Sequence, residues 1–118
     1  QAELINKNKE IKKMKTAFVE SARRAYKCNY DGIELHAAHG YLLGQFLSKK
    51  FNQRTDNYGG SFQNRMKLLM DIIDEVKKKT SSTFLIGVRI SPERFGGMIR
   101  TFTIPDRKNL VSANWEEE

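Results

Sequence analysis

Two histidines three positions apart and a tyrosine two positions further on are the residues best suited to chemistry: His36, His39 and Tyr41 in HAAHGY. His36 is the last residue of a short apolar run, Gly32 to His36, that only Glu34 interrupts. His39 and Tyr41 follow directly after this run. Two imidazole N–H groups that converge on a carbonyl oxygen would stabilise negative charge developing there, as an oxyanion hole does. A nearby tyrosine hydroxyl could then supply a proton. The pattern therefore suits a reaction centre that acts on a carbonyl compound.

Two other interpretations of the histidine pair stay open on this pattern. In one, backbone groups satisfy both imidazoles and the pair is structural. In the other, the pair binds a metal ion, but zinc needs at least three protein ligands. The chain has two histidines and one cysteine, so Asp31 or Glu34 would have to complete such a site.

A second charged residue stands at the end of an apolar run. Arg89 lies near the end of Phe84 to Ile90, within GVRISP. A charge at the end of an otherwise apolar strand needs a partner. One interpretation pairs Arg89 with Glu34, both pointing into the interior; the other directs Arg89 at an anionic or carbonyl-rich ligand.

Hydrophobic periodicity and turn residues predict two long helices, two buried strands and a short helix that together position these side chains. Apolar residues at spacings of three and four mark the helices, and Ser61 is the expected N-cap of the second one. The predicted elements are a helix Lys9–Lys27, a strand Gly32–His36, a loop entering a short helix Ala37–Leu47, a polar loop Lys49–Gly60, a helix Ser61–Lys79 and a strand Phe84–Ile90.

This order predicts a parallel βαβ unit with a right-handed crossover. The near-continuous apolar run 84–90 is typical of a strand covered on both faces. Two strands cannot close a barrel, and two exposed strand edges favour association. We therefore expect an internal piece of a larger α/β protein that associates into an oligomer or needs the remainder of its fold.

The charge of +7 and the isoelectric point near 9.6 raise the possibility of a nucleic-acid-binding module. Residues 1–28 hold eight Lys or Arg against three Glu, and their lysines lie between the apolar positions of the first helix. That arrangement is typical of a solvated helix face. The aromatic residues are not interleaved with the basic ones as base-stacking platforms would be, so we expect no nucleic-acid partner.

The single cysteine, Cys28, can form neither an internal disulfide nor a thiolate metal site. We therefore expect no metal and a reducing, cytoplasmic location. No apolar run approaches the roughly 20 residues of a membrane span, and no signal peptide is visible. Because the sequence begins at Gln1 and not at methionine, we expect either a fragment or a chain whose start is not shown.

Four motifs in order, HAAHGYLLGQFL, NQRTDNYGGS, NRMKLL and GVRISP, resemble the old yellow enzyme family of FMN-dependent ene-reductases. The resemblance runs from about Phe18 to Phe95. It implies an eight-stranded TIM barrel with FMN at its C-terminal mouth, of which residues 1–98 would be a part around strands four and five. Residues 99–118 form a divergent tail, with a short helix after Asp106 as one possibility.

The resemblance also implies roles for individual residues. His36 and His39 match the pair that binds the activating oxygen of the substrate; the second position is His in some members and Asn in others. Tyr41 matches the proton donor, and Arg89 matches the arginine at the pyrimidine side of the flavin. NAD(P)H would reduce the flavin, which would pass hydride to an activated, carbonyl-conjugated alkene. The loop around Arg54 to Gly60 is interpreted as mainly structural.

The chain departs from the family pattern in several places. Many members have Ser-Pro where Ser48 is followed by Lys49 here, which is a local change that a loop tolerates. The tail from Ile99 to Glu118, by contrast, does not match and supports a rival hypothesis. A TIM barrel needs about 250 residues and commonly binds phosphate through its last two loops. We therefore expect that the chain alone neither holds FMN tightly nor turns over. The rival is a catalytically inactive truncated gene product or interaction fragment that needs a partner to fold.

Overall fold

The computed structural model describes residues 8–90 and the backbone of residues 100–103. This part of the chain forms three helices and three strands. In chain order they are α1 Asn8–Lys27, β1 Gly32–Ala37, α2 Leu42–Leu47, α3 Phe62–Lys79, β2 Leu85–Ile90 and β3 Arg100–Thr103. The predicted helices and strands up to residue 90 are confirmed, with modest changes at their ends. The short helix expected after Asp106 lies outside the described residues.

The strands β1 and β2 pair in parallel, with Gly32 opposite Leu85 and His36 opposite Arg89. The helix α3 connects them, so the predicted βαβ unit is present. Both strands end at the same edge of the sheet because they run in the same direction. This pairing brings His36 and Arg89, distant in sequence, side by side.

The strand β3 was not predicted. It pairs antiparallel with β2, with Val88 opposite Phe102, and gives the sheet order β1-β2-β3. The sheet of a TIM barrel is parallel throughout, so β3 is not a strand of that type. The outer edge of β2, expected to be exposed, is therefore covered, while no strand among the described residues pairs with the outer edge of β1.

One face of the sheet is buried against the helices and the other is open. The buried face carries Leu35 and Ala37 from β1 and Ile86, Val88 and Ile90 from β2, in one core with α1, α2 and α3. The alternate residues lie on the open face, and Leu85 among them is 55% exposed. The prediction that β2 is covered on both faces is wrong for the described residues, because no described element packs on that side.

The crossover helix α3 buries nine of its 18 residues in the core. Ile72, Ile73 and Val76 are completely buried. Ser61 is its N-cap, as predicted, and accepts a hydrogen bond from the Asn64 N–H at 3.2 Å. Lysines in the last turn complement the helix dipole. Thus α3 provides a fixed reference for the loop before it. None of the helices in residues 8–90 combines the length and apolar character that crossing a membrane requires.

Candidate active site

The candidate site lies where β1 and β2 end. His36 is the next-to-last residue of β1 and its side chain is on the open face of the sheet. Glu34, two positions earlier, is on the same face because strand side chains alternate. Arg89 is opposite His36 on β2 and shares that face. Three of the polar residues singled out in the sequence therefore meet on one uncovered surface.

A tight turn after β1 brings the other two candidate residues back to His36. His39 and Gly40 both have positive φ, 55° and 73°, and the Tyr41 N–H donates to the Ala38 carbonyl at 3.2 Å. The ring centroids of His36 and His39 are 5.9 Å apart, and those of His36 and Tyr41 are 5.0 Å apart. The structure thus brings together all three residues of the predicted centre. Tyr41 is 61% exposed, so its hydroxyl can exchange protons with solvent.

The guanidinium of Arg89 is paired with the carboxylate of Glu34. Arg89 Nε lies 3.2 Å from Glu34 Oε1, and Nη2 lies 3.2 Å from Oε2. The predicted pairing of these two residues is therefore confirmed, but the expectation that both point into the interior is not met in the described residues, because they lie on the open face of the sheet. Both side chains stay substantially exposed, at 42% and 36%. An arginine has five N–H donors, so this pair orients the guanidinium and leaves other donors for a ligand.

The metal interpretation of the histidine pair finds no support in residues 8–90. No group of three or more His, Cys, Asp or Glu side chains stands close enough together there to hold a metal ion. Two imidazoles, one phenol and one guanidinium form the donor set at this end of the sheet. Such donors fit a planar ring with carbonyl groups and a carbonyl substrate.

The short helix α2 is held against the end of β1. A β-carbon on Gly44 would lie 3.0 Å from the Ala37 carbonyl oxygen, so only glycine allows this approach without a shift. At the start of the helix, the Gln45 side chain donates from Nε2 to the Gly40 carbonyl at 2.6 Å. This bond links the start of α2, whose N-cap residue is Tyr41, to the turn that follows β1.

The loop between α2 and α3 is built around internal pairs. The Arg54 guanidinium donates to the Asp56 carboxylate, with Nε–Oδ1 at 3.1 Å, and the Tyr58 N–H donates to Oδ1 at 3.0 Å. The hydrogen bonds from Arg54 lower the pKa of Asp56; partial burial opposes this shift and the Tyr58 N–H supports it. These contacts lie within the loop, as expected for a mainly structural segment.

Two buried polar residues, Arg65 and Asn52, were not singled out in the sequence. They are only 4% and 5% exposed. The signal for Arg65 was available: it is a charged residue within the apolar stripe of α3, three positions after Phe62 and four before Leu69. The signal for Asn52 was weaker, because asparagine is common in polar loops.

Comparison with known proteins gives a consistent result. The model of the NADH:flavin oxidoreductase / NADH oxidase family matches residues 3–112. An NADH:flavin oxidoreductase of Gibberella zeae is 50% identical over 82 residues, which is 70% of this chain and 20% of that protein. The 12-oxophytodienoate reductase 2 of Arabidopsis thaliana is 45% identical over 83 residues, covering 70% of this chain and 22% of that protein.

Solved structures agree with the sequence matches. The old yellow enzyme from Pichia sp. AKU4542 superimposes with a TM-score of 0.68 at 40% identity, over 74% of this chain and 22% of that one. The chain therefore spans about a fifth of the length of the relatives that it matches.

Proposed function

The chain belongs to the NADH:flavin oxidoreductase / NADH oxidase family, which uses FMN with NAD(P)H as reductant, and on that premise we propose that it forms the substrate-activating corner of an ene-reductase. The observation that carries the proposal is the cluster of His36, His39 and Tyr41, with ring centroids 5.0 and 5.9 Å apart at the end of β1. We place β1 and β2 as the fourth and fifth strands of the family's TIM barrel.

The two histidines would bind the oxygen of a carbonyl group that is conjugated to the alkene of the substrate. Each neutral imidazole can donate one N–H. Two such donors on the same oxygen draw electron density from the alkene and stabilise the enolate charge that develops on that oxygen. The backbone of His36 is part of β1 and that of His39 is part of the turn, so both side chains start from backbone positions that are set before the substrate binds.

Tyr41 would complete the reduction. Its hydroxyl donates a proton to the α-carbon of the alkene, and solvent restores the phenol because the side chain is 61% exposed. FMN, when bound, supplies the hydride for the β-carbon. Arg89 would hold the pyrimidine edge of the flavin through the donors that its pair with Glu34 leaves available.

A second candidate function is that of an association fragment without activity of its own. The open face of the sheet, with Leu85 at 55% exposure, favours it. The outer edge of β1, unpaired within the described residues, would accept a strand from another chain or from the remainder of the barrel. Sedimentation velocity distinguishes the two states: an associating fragment sediments faster as its concentration rises, and a monomer does not.

A chimera tests the proposed function. The segment of the Arabidopsis 12-oxophytodienoate reductase 2 that matches this chain is replaced by the corresponding residues of this chain. We expect the chimera to retain flavin on gel filtration and to reduce 2-cyclohexen-1-one with NADPH. A chimera that retains flavin but does not reduce the alkene would contradict the proposal. The His36→Ala variant of the chimera is the control for background reduction.

The isolated chain provides a second test. It holds the substrate side of the site and one flavin contact, so we expect it to lose FMN on gel filtration and to show no turnover. Elution of the 118-residue chain with stoichiometric flavin would contradict this expectation.

A further inference from the structure

The helix that carries Tyr41 is too short to be stable by itself. It has six residues, Leu42–Leu47. Isolated helices shorter than about 12–15 residues are marginal in water, because nucleation costs more than the few hydrogen bonds return. The position of α2, and with it the position of Tyr41 at its N-cap, must therefore come from contacts outside the helix.

Two buried side chains bind the last carbonyls of α2. Asn52 donates from Nδ2 to the Phe46 carbonyl at 2.6 Å, and Arg65 donates from Nε to the Leu47 carbonyl at 2.8 Å. The last four carbonyls of a helix have no donor within the helix. The first of these contacts joins residues six positions apart and is local, whereas the second joins α2 to a different helix, 18 positions away.

Arg65 connects three parts of the structure through one guanidinium. Besides the Leu47 carbonyl, it binds the Gly60 carbonyl from Nη1 at 2.7 Å. Gly60 lies at the end of the loop, and Arg65 itself lies in the first turn of α3, nine of whose 18 residues are buried. A rigid helix is thus joined directly to the end of a helix that has little stability of its own.

An arginine at this position is unfavourable for packing alone. Taking a guanidinium out of water costs several kcal/mol unless hydrogen bonds compensate, and an apolar residue would fill the stripe of α3 without that cost. The advantage of arginine over an apolar residue is geometric, because the planar guanidinium presents several donors in a fixed arrangement. The Leu47 and Gly60 carbonyls, which it binds, lie at the end of α2 and just before α3.

We propose that Arg65 is a positioning residue for Tyr41: by binding the last carbonyl of α2 it sets the distance between the Tyr41 phenol and the His36 imidazole. The chemical meaning of that distance rests on the proposed function, but the distance itself does not. In the middle of α2, Gly44 packs against Ala37, and Leu43, Phe46 and Leu47 of the same helix are buried in the core. Without the bond from Arg65, these apolar contacts would still hold α2 in the core, and we expect the helix to turn about the Gly44 contact.

The experiment uses nuclear Overhauser cross-peaks between the ring protons of His36 and Tyr41 in the 118-residue chain, whose ring centroids are 5.0 Å apart. Arg65→Met fills a similar volume without donors, and Arg65→Lys keeps one donor. We expect the cross-peaks to disappear in Arg65→Met and to be partly retained in Arg65→Lys. Unchanged cross-peaks in Arg65→Met would overturn the proposal.

A matched control separates positioning from general stability. Val76 lies on α3, is completely buried and belongs to the opposite half of the helix from Arg65. Val76→Ala should lower the urea midpoint and keep the His36–Tyr41 cross-peaks. If Val76→Ala also loses them, Arg65 has no special role and the proposal fails. If Arg65→Met does not fold, Asn52→Leu, which removes the neighbouring bond to Phe46, must weaken the same cross-peaks or the proposal fails.

The cross-peak experiment on the isolated chain needs neither flavin nor alkene, so its result is independent of the activity of the chimera. Loss of the cross-peaks in Arg65→Met with an inactive chimera would support the positioning role and contradict the proposed function. Retained cross-peaks in Arg65→Met with an active chimera would contradict the positioning role and support the proposed function. In an active chimera, Arg65→Met should lower kcat for the alkene and leave KM nearly unchanged, since it moves the proton donor and not the oxygen-binding histidines.

Discussion

Gly44 in α2 and Ala37 at the end of β1 are in main-chain contact: a β-carbon at Gly44 would lie 3.0 Å from the Ala37 carbonyl oxygen and 3.3 Å from its carbonyl carbon. Ala37 follows His36 directly, and Gly44 lies three positions after Tyr41. The contact therefore links the strand that carries the histidine to the helix that carries the tyrosine.

Substituting Gly44 by alanine should destabilise the chain, although the same change normally favours a helix by about 1 kcal/mol. Overpacking against a fixed backbone typically costs about 1–3 kcal/mol, and the backbone of Ala37 is held by the pairing of β1 with β2. We expect a net loss of about 1 kcal/mol in the free energy of unfolding, measured by urea denaturation. A gain in stability would show that α2 can move away from β1 without cost.

The positive φ of His39 predicts a clear order among substitutions at this position. Asparagine tolerates the left-handed region better than most residues, whereas a β-branched residue is strongly disfavoured there. With φ at 55°, His39→Asn should leave the free energy of unfolding nearly unchanged, and His39→Val should lower it by about 1–3 kcal/mol. Equal stability of the two variants would contradict this.

The pair of Glu34 and Arg89 should contribute little to stability. Both side chains are more than a third exposed, and exposed ion pairs typically contribute about 0.2–1 kcal/mol. A double-mutant cycle with Glu34→Gln and Arg89→Met should give a coupling energy within that range, decreasing as salt is added. A salt-independent coupling well above it would show that the pair is a structural ion pair and not an orienting one.

Asp56 should make stability depend on pH in the acid range. Its pKa in the folded state is lowered from 3.8 by the hydrogen bonds from Arg54. A lowered folded pKa means that the stabilisation is fully present above the unfolded value and is lost as the pH falls through the folded one. The stability advantage of the native chain over Asp56→Asn should therefore be constant near neutral pH and shrink below about pH 4. Urea denaturation at several pH values measures this difference in the free energy of unfolding. A difference that persists at pH 2 would contradict the lowered pKa of Asp56.

Local patterns in the sequence predicted the elements that surround the site. Apolar spacing located α1 and α3, Ser61 marked the start of α3, and the apolar run before HAAHGY located β1. The proximity of His36, His39 and Tyr41 was also predictable, because a turn directly after a strand brings back residues only a few positions away. Each of these features depends on neighbours in the chain.

Features that depend on distant contacts were not predictable. The bond from Arg65 to the Leu47 carbonyl joins residues 18 positions apart, and periodicity gives no information on it. The four-residue strand β3 is too short for a periodic signal and owes its existence to pairing with β2. The open face of the sheet was missed because an apolar run does not reveal which of its two faces is covered.

The most direct test of the substrate-activating role is Tyr41→Phe in the chimera, with the two half-reactions measured separately by stopped flow. We predict that NADPH bleaches the flavin as fast as in the parent chimera, because Tyr41 takes no part in that step. Turnover of 2-cyclohexen-1-one should fall by about 10²–10⁴-fold, the usual contribution of a positioned general acid. Alkene turnover that is unchanged by Tyr41→Phe in a flavin-loaded chimera would contradict the account.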